Sequence, residues 1–441
     1  MSYTKRLIAF AGVLLSFGPL MAQELLTKEK ATQQVLENNL GIKIAENSAE
    51  IAANNAGVLN SGYLPSLTGN AGANYDRQNI EAQLTNGEER SSDGVETRRY
   101  NASVNLNYTL FDGLGRYYNY KSLKEQSDLS ELEARETIET TILQLFTVYY
   151  EVARLSENYD NLQETLKISK DRLKRAEYQF EYGQNTRLDF LNAQVDVNTD
   201  SINVLNARQT LQNAKRDLNL IMNRELSIAF EVDTLVTFVP NLLMEDMVSQ
   251  AMQKNVTLLQ IEKGLKINNY NYKSIKGNYL PTIGLTGSYG WNESNNNNPA
   301  AFTIQNTSYG LSAGISLSWS IFDGGRTITS AKNAKLTYQN QELLKEQTEK
   351  QVERDIRNAW ESYKNALFVL EAQKENEITN RNNFNRTEER YKIGQATSIE
   401  FRQAQLNLLN AIVAKNQAKY TAKLAELQVL QVSGELLNTD F

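Results

Sequence analysis

The chain has 441 residues, a net charge of −6 and a mean hydropathy of −0.51. It contains no cysteine and no histidine, which removes disulfides, thiolate and imidazole metal ligands, and every Ser-His or Cys-His nucleophile. Its charge is spread out with no basic patch, so nucleic acid is not an expected partner; neither is any metal, cofactor or catalysis.

Met1 to Ala22 reads as a secretory signal: Lys5 and Arg6, an apolar run from Leu7 to Leu20 broken by Gly18-Pro19, and Ala22 before the cleavage point. The run is too short for a membrane helix, and no cysteine follows to carry a lipid. Leu26 to Leu59 has helical spacing through Ala31, Val35, Ile42, Ile44 and Ile51 and ends at Tyr63-Leu64-Pro65, where proline forces extended backbone. Two strands of about ten residues are expected next. Leu67, Gly69, Ala71, Ala73 and Tyr75 lie on one face of the first; Val104, Leu106, Tyr108 and Leu110 lie on one face of the second, which ends at Phe111. Between them 76–98 reads as a polar loop with turn signals at Asn86-Gly87 and Asp93-Gly94. Asp112, followed by Gly113, is suited to cap a helix starting there.

Arg116 to Tyr182 then runs without a glycine or proline. Leu155, Tyr159, Leu162, Leu166, Leu173, Ala176 and Phe180 recur in threes and fours, with Ser169 the weak position. That is a coiled-coil seam on a helix of the order of 100 Å. Its other faces are charged, so it belongs in water. The Gly183-Gln184 turn follows, then a returning helix from Leu188 to Asn223 and a strand-like linker through Phe230, Val232, Leu235 and Val236 to Pro240.

The order then repeats. Leu242 to Gly277 is helical and ends at Tyr279-Leu280-Pro281. A strand through Ile283, Leu285, Tyr289 and Trp291, a polar loop from Asn292 to Asn306 and a strand from Tyr309 to Ile321 lead to Phe322-Asp323-Gly324. A second uninterrupted run, Arg326 to Ile393, keeps its seam at Ile356, Trp360, Tyr363, Leu367 and Leu370 and ends at Gly394-Gln395 before a helix to Val432. Gly394 lies 211 positions after Gly183. The chain is an internal duplication: signal 1–22, first repeat 23–240, second repeat 241–441.

Each strand has an apolar face and a face of Ser, Asn, Thr and Gly, with aromatics toward the ends, as a bilayer-crossing barrel strand requires. Leu106, Ile315 and Leu317 are expected to face lipid, and Ser103, Asn105 and Ser316 water. Four strands cannot close a barrel, and open edges are forbidden in lipid. The chain must therefore pool strands with copies of itself, two copies giving about eight strands and three about twelve with room for a channel.

The signal, the Leu-Pro strand entry (Pro65, Pro281), the Phe-Asp-Gly strand exit (Phe111, Asp112, Gly113; Phe322, Asp323, Gly324) and the Tyr-x-x-Gly turn at Tyr391, matched by Phe180-x-x-Gly183 in the first repeat, all but the signal present in both repeats, resemble the TolC-like outer-membrane efflux proteins. The resemblance covers nearly the whole mature chain. It implies a mixed α and β homotrimer: a 12-stranded transmembrane β-barrel in the outer membrane, continuous with a tunnel of long coiled-coil hairpins in the periplasm. It implies passive conduction for efflux or protein secretion, with a periplasmic adaptor and an inner-membrane pump. By the same resemblance, Gly183, Gln184, Gly394 and Gln395 are the adaptor-docking turns, and Asp189, Tyr391 and Glu400 match positions of the periplasmic constriction, with Arg187 the expected substitute partner where the chain departs from the pattern. The chain departs from the family pattern at Ala396, where an arginine is expected, and at Gln403, where an acid is. The competing reading is an adhesive or structural coiled-coil spacer without conductance.

Overall fold

The computed structural model describes residues 24–83, 85, 87–240, 242–298 and 303–439. The signal segment, Asn86 of the first turn signal and 299–302 of the second polar loop lie outside them. The first repeat comprises β1 (Glu24–Leu26), α1 (Lys28–Asn38), α2 (Leu40–Asn55), β2 (Ser66–Gln83), β3 (Glu89–Asp112), α3 (Gly115–Glu181), α4 (Arg187–Ile221) and β4 (Phe230–Val232). The second comprises α5 (Met244–Lys254), α6 (Val256–Gly277), β5 (Thr282–Asn296), β6 (Gln305–Ser318), α7 (Arg326–Lys392) and α8 (Ser398–Ser433). The long helices α3 and α7 each have 67 residues.

Strands β2, β3, β5 and β6 form one antiparallel sheet in that order, with β2 and β6 at its edges. Directly paired residues share a face, so the register tests the two-faced reading. On one side Leu67, Leu106 and Gly287 align, and Leu285 aligns with Tyr108 and Ile315. On the other Thr68, Asn105, Ser288 and Ser312 align. Every one of the expected lipid-facing and water-facing residues falls on its own side. Ile315 is 73% exposed and Leu317 65% exposed in the single chain.

The strands are longer than expected: 18, 24, 15 and 14 residues. Most of the expected 76–98 loop is a two-stranded ribbon, with Asp76 opposite Thr97 and Gln83 opposite Glu89. Its mostly polar, exposed sequence hid this, although Val95 and Thr97 are buried on one side of it. Arg99 pairs with Asp76 at 3.3 Å and Arg98 lies over the Tyr75 ring. Conversely, β6 stops at Ser318, short of Trp319 and Ile321, and the Trp319 indole donates to the Tyr279 carbonyl at 3.2 Å.

The expected helix 26–59 starts at Lys28, is broken at Asn39 and ends at Asn55 before a short 3-10 turn at Val58–Asn60, and the expected helix 242–277 is broken at Asn255. Each asparagine caps the following helix through its carboxamide oxygen, accepting from Ile42 N and Leu258 N. Its amide donates to the end of a returning helix, Ile221 O at 2.8 Å and Val432 O at 2.9 Å. Side-chain capping competes with helix continuation at such residues.

The apolar core lies midway along the helices. Ile142, Leu145, Phe146, Tyr149 and Tyr150 of α3 are buried against Val35, Leu218, Phe230 and Leu427. The Tyr149 hydroxyl donates to Leu26 O at 2.8 Å and accepts from Asp233 N at 3.0 Å, tying both ends of the first repeat to α3. The α7 seam is as expected: Ile356, Tyr363 and Leu370 are buried against α8. The α3 seam differs below the core. Leu155, Tyr159, Leu162, Leu166 and Leu173 are half-buried and Phe180 is exposed, while Asn158, Thr165, Ser169 and Arg172 are buried with Ala176.

Candidate functional site

At the sheet end of each long helix, an aspartate closes the strand-to-helix turn. Asp112 accepts from Arg116 N at 3.0 Å and pairs with the Arg116 guanidinium, which also donates to Gly62 O at 2.9 Å. Asp323 accepts from Gly325 N and from the Thr327 amide and hydroxyl. The expected capping role of Asp112 is thus present and duplicated, one turn after exposed Pro65 and half-exposed Pro281 have started their hairpins. Phe111 pairs with Ile283 in the sheet, whereas Phe322 lies past β6 and is exposed. Gly113 has φ +67° and touches Gly277 backbone so closely that a Cβ would lie 2.2 Å from its carbonyl oxygen.

At the far end, Gly183 and Gly394 have φ +69° and +76°. Gln184 N and Gln395 N reach back to Gln179 O and Arg390 O, both at 2.7 Å, which closes each helix in the left-handed manner that suits glycine. Both glycines are exposed, with nothing within 4 Å of a Cβ.

The acidic residues six positions beyond each glycine lie in the first turns of the returning helices, which Thr186 and Thr397 cap. Glu400 and Thr397 form a reciprocal capping box: Thr397 N donates to the Glu400 carboxylate at 2.7 Å, and Glu400 N to Thr397 Oγ1 at 3.2 Å. The Thr397 amide, then its hydroxyl, hold the Glu400 carboxyl below the usual glutamate range. Asp189 accepts from the Thr186 hydroxyl at 2.6 Å and its amide donates back. Tyr391 stacks on Phe401 at 4.8 Å beneath the Arg175 guanidinium, which donates to Lys392 O at 2.7 Å. Arg187 is exposed. Among the described residues, no hydrogen bond or ion pair joins Asp189 or Arg187 to Tyr391 or Glu400 within one chain.

Two turns further in lies a buried charge network that the sequence reading did not single out. Arg402 of α8 grips Asp200 of α4 with two bonds, at 2.7 and 2.8 Å, and lies 3.5 Å from Asp196. Arg172 of α3 pairs with Asp196. Ser169, fully buried, donates to Asp200 at 2.6 Å and accepts from Gln405, which also donates to Thr165 O. Three helices from both hairpins meet here. Arg402 precedes Gln403, the position where an acid was missing; Gln403 itself is exposed and bonded to Asn407. Ser169, the weak position in the apolar row of α3, was the available signal.

The architecture is that of an outer-membrane channel subunit: a two-faced sheet that needs copies to close, carried on helices far too polar for lipid. Among the described residues, no helix is long and apolar enough to cross a membrane. The family model for outer membrane efflux proteins matches residues 31–224 and 247–435. The chain belongs to that family. It is 24% identical over 439 residues to the outer membrane efflux protein BepC of Brucella suis, covering 98% of this chain and 91% of that protein. It is 21% identical over 360 residues to the outer membrane protein TolC of Escherichia coli, covering 80% and 72%. Its fold matches the CmeC outer membrane channel of Campylobacter jejuni with a TM-score of 0.77 at 20% identity, over 93% of this chain and 86% of that one. The protein is an outer-membrane efflux channel whose helices extend into the periplasm.

Proposed function

We propose that three copies of this chain close a 12-stranded barrel and a continuous helical tunnel. The assembly is a passive exit duct, fed by an inner-membrane pump through a periplasmic adaptor. The observation that carries this reading is the four-stranded sheet with apolar and polar faces in register and unpaired edges at β2 and β6. Its inner face is Ser, Thr, Asn and Gly, so a twelve-stranded closure leaves a wide polar lumen. Native mass spectrometry of the detergent-solubilised protein tests it: a trimer is expected, and a folded monomer or dimer contradicts it.

The open Gly183-Gln184 and Gly394-Gln395 turns are the adaptor's docking points on this reading. Gly183→Trp or Gly394→Trp is expected to leave outer-membrane assembly intact and abolish efflux in a drug-susceptibility assay. Normal efflux by assembled variants would leave the glycines as turn formers only. Glu400, exposed at the turn, would contribute one carboxylate per chain to a ring around the threefold axis, with Asp189, Arg187 and Tyr391 meeting across the boundary between chains.

A further inference from the structure

Below the last apolar row of the sheet, Phe111, Ile283 and Leu317, the first turns of α3 and the last turns of α6 carry a collar of tyrosines and lysines. Lys121 Nζ lies 4.8 Å from the centre of the Tyr117 ring and 5.7 Å from that of Tyr270. Lys273 Nζ lies 5.8 Å from both Tyr118 and Tyr270, so two ammonium groups share one ring. Lys124 stands over Tyr120 at 4.7 Å and Lys276 over Tyr272 at 5.6 Å. No acid occurs from Gly113 to Lys124 or from Gly264 to Gly277. Among the described residues, none of these four lysines forms an ion pair. Further from the sheet the same helices return to ordinary pairing, Lys263 with Glu125 and Asp128. A ring face attracts an ammonium group but leaves its charge uncompensated.

The collar lies on the side of the sheet's apolar face. Helices α2, α3, α6 and α7 pack in that order, the order of the strands to which they connect. Toward α2, Arg116 reaches Gly62 O and Tyr120 packs on Tyr63. Toward α6, Ser122 bonds Asn271 and Glu125 accepts from Lys263. At about 100° per residue those two sides of α3 are opposite each other. One free face then holds Tyr117, Lys121 and Lys124, and the other Asn119, Gln126 and Ser130. The sheet tells the two apart. Glu96 O accepts from Asn297 N at 3.2 Å and Glu96 N donates to Asn297 Oδ1 at 2.7 Å, so the Glu96 backbone groups point toward β5. Every second residue of β3 down to Leu106 repeats that direction and carries the apolar face. For L-residues, β5 then stands to the left of β3 when seen from the apolar side with the helices below. A right-handed helix descending from β3, with α2 on the right and α6 on the left, turns Tyr117, Lys121 and Lys124 toward that viewer. It turns Asn119, Gln126 and Ser130 to the polar side.

We propose that this collar binds the headgroups of anionic phospholipids in the periplasm-facing leaflet of the outer membrane. The headgroup layer begins where the apolar face ends and is about 5–8 Å deep on each side of a bilayer. At about 1.5 Å per residue, Tyr117 and Lys276 lie within about 3 Å of the helix ends, and Lys273 and Lys121 about 6 and 9 Å along. Side chains on a helix lean toward its N-terminus, so Lys121 and Lys124 lean back toward the sheet, and a long lysine stem lets the charge reach the headgroup level. Tyrosine favours the same layer, its ring half in apolar surroundings and its hydroxyl in water. A phosphodiester of net negative charge supplies the counter-charge that these ammonium groups lack. A zwitterionic headgroup brings its own cation and gains less.

The inference rests on the barrel reading, and one experiment reports on both separately. The protein is reconstituted in nanodiscs of equal parts phosphatidylglycerol and phosphatidylcholine, and native mass spectra are taken on release. The protein mass counts chains and so tests the trimer; the bound lipid tests the collar. Retained phosphatidylglycerol is expected to exceed phosphatidylcholine by roughly tenfold, as several lysines at an anionic surface provide. Replacing Lys121, Lys124, Lys273 and Lys276 together by Gln is expected to bring that ratio near one with the chain number unchanged, and replacing them by Arg to preserve it. Replacing Lys167, Lys170, Lys364 and Lys374 by Gln, which removes the same charge from exposed positions farther along the helices, is expected to leave the ratio as it was. If the fourfold collar variant does not assemble, Lys121→Gln with Lys124→Gln and Lys273→Gln with Lys276→Gln are each expected to give a partial loss. Equal retention of both lipids by the unmodified protein, an unchanged ratio in the collar variants, or an equal loss in the distal variant overturns the proposal. Added inorganic phosphate is expected not to displace the lipid; displacement would mark a general anion site and overturn the assignment to a membrane headgroup.

Discussion

Glu400 shows how a residue chosen from the sequence acquires a local duty in the structure. Its carboxylate closes a helix cap while remaining exposed at the turn. Glutamine also serves in a capping box, so Glu400→Gln is expected to fold normally. In planar bilayers it should weaken cation selectivity and block by multivalent cations, as loss of a ring of like charge would. Unchanged selectivity would place the constriction elsewhere. The hydrogen bonds that lower its carboxyl also set a pH dependence. The stabilisation they provide is present above the ordinary glutamate range and lost as pH falls through the lowered folded value. Cation preference should therefore persist into mild acid and fade only below the usual glutamate range. The Arg402 network is the opposite case. Asp196 and Asp200 sit one helical turn apart on a polar stretch, and Ser169 looked like a defect in an apolar row. Only their burial between two hairpins reveals them as a unit. Arg402→Ala would leave buried Asp200 without its main partner, a loss of about 3–5 kcal/mol for a broken buried pair. Thermal melting followed by circular dichroism should detect it. Pairing it with Asp200→Leu should recover much of the loss.

At the scale of elements, what was legible depended on which physical signal set the boundary. The α7 seam was legible because apolar side chains make it. The lower α3 seam was not, because hydrogen bonds and ion pairs replace apolar packing there. The breaks at Asn39 and Asn255 were hidden because asparagine, unlike proline, stops a helix only when its carboxamide finds partners on both sides. Strand length was underestimated in the 76–98 ribbon, whose side chains are mostly polar and exposed and show no sustained apolar alternation. The faces of the sheet, in contrast, were fully readable, since period-two alternation is all they require. They give a sharp contrast. Arginine at lipid-facing Leu317 should cost about 2–4 kcal/mol and much less at water-facing Ser316. Outer-membrane assembly of Leu317→Arg should fall well below that of Ser316→Arg; equal assembly would mean that the sheet does not face lipid.

The whole molecule is organised by duplication. Two repeats, each with a capped strand exit, a 67-residue helix and a glycine turn, place an apolar strand face at one end and open turns at the other. The duplication itself was evident from repeated Pro, Asp-Gly and Gly-Gln positions. What one chain's sequence could not display was how its far edges are satisfied, because those partners belong to another copy. Free sheet edges and exposed apolar seams are the structural trace of that incompleteness, and a polar inner face is the trace of a lumen. The central claim is that the closed assembly conducts. Single-channel recording of the purified trimer in a planar bilayer tests it most directly. Discrete conductance steps are expected, and they should respond to Glu400→Gln. A correctly assembled trimer that never conducts would contradict the account and favour a structural spacer.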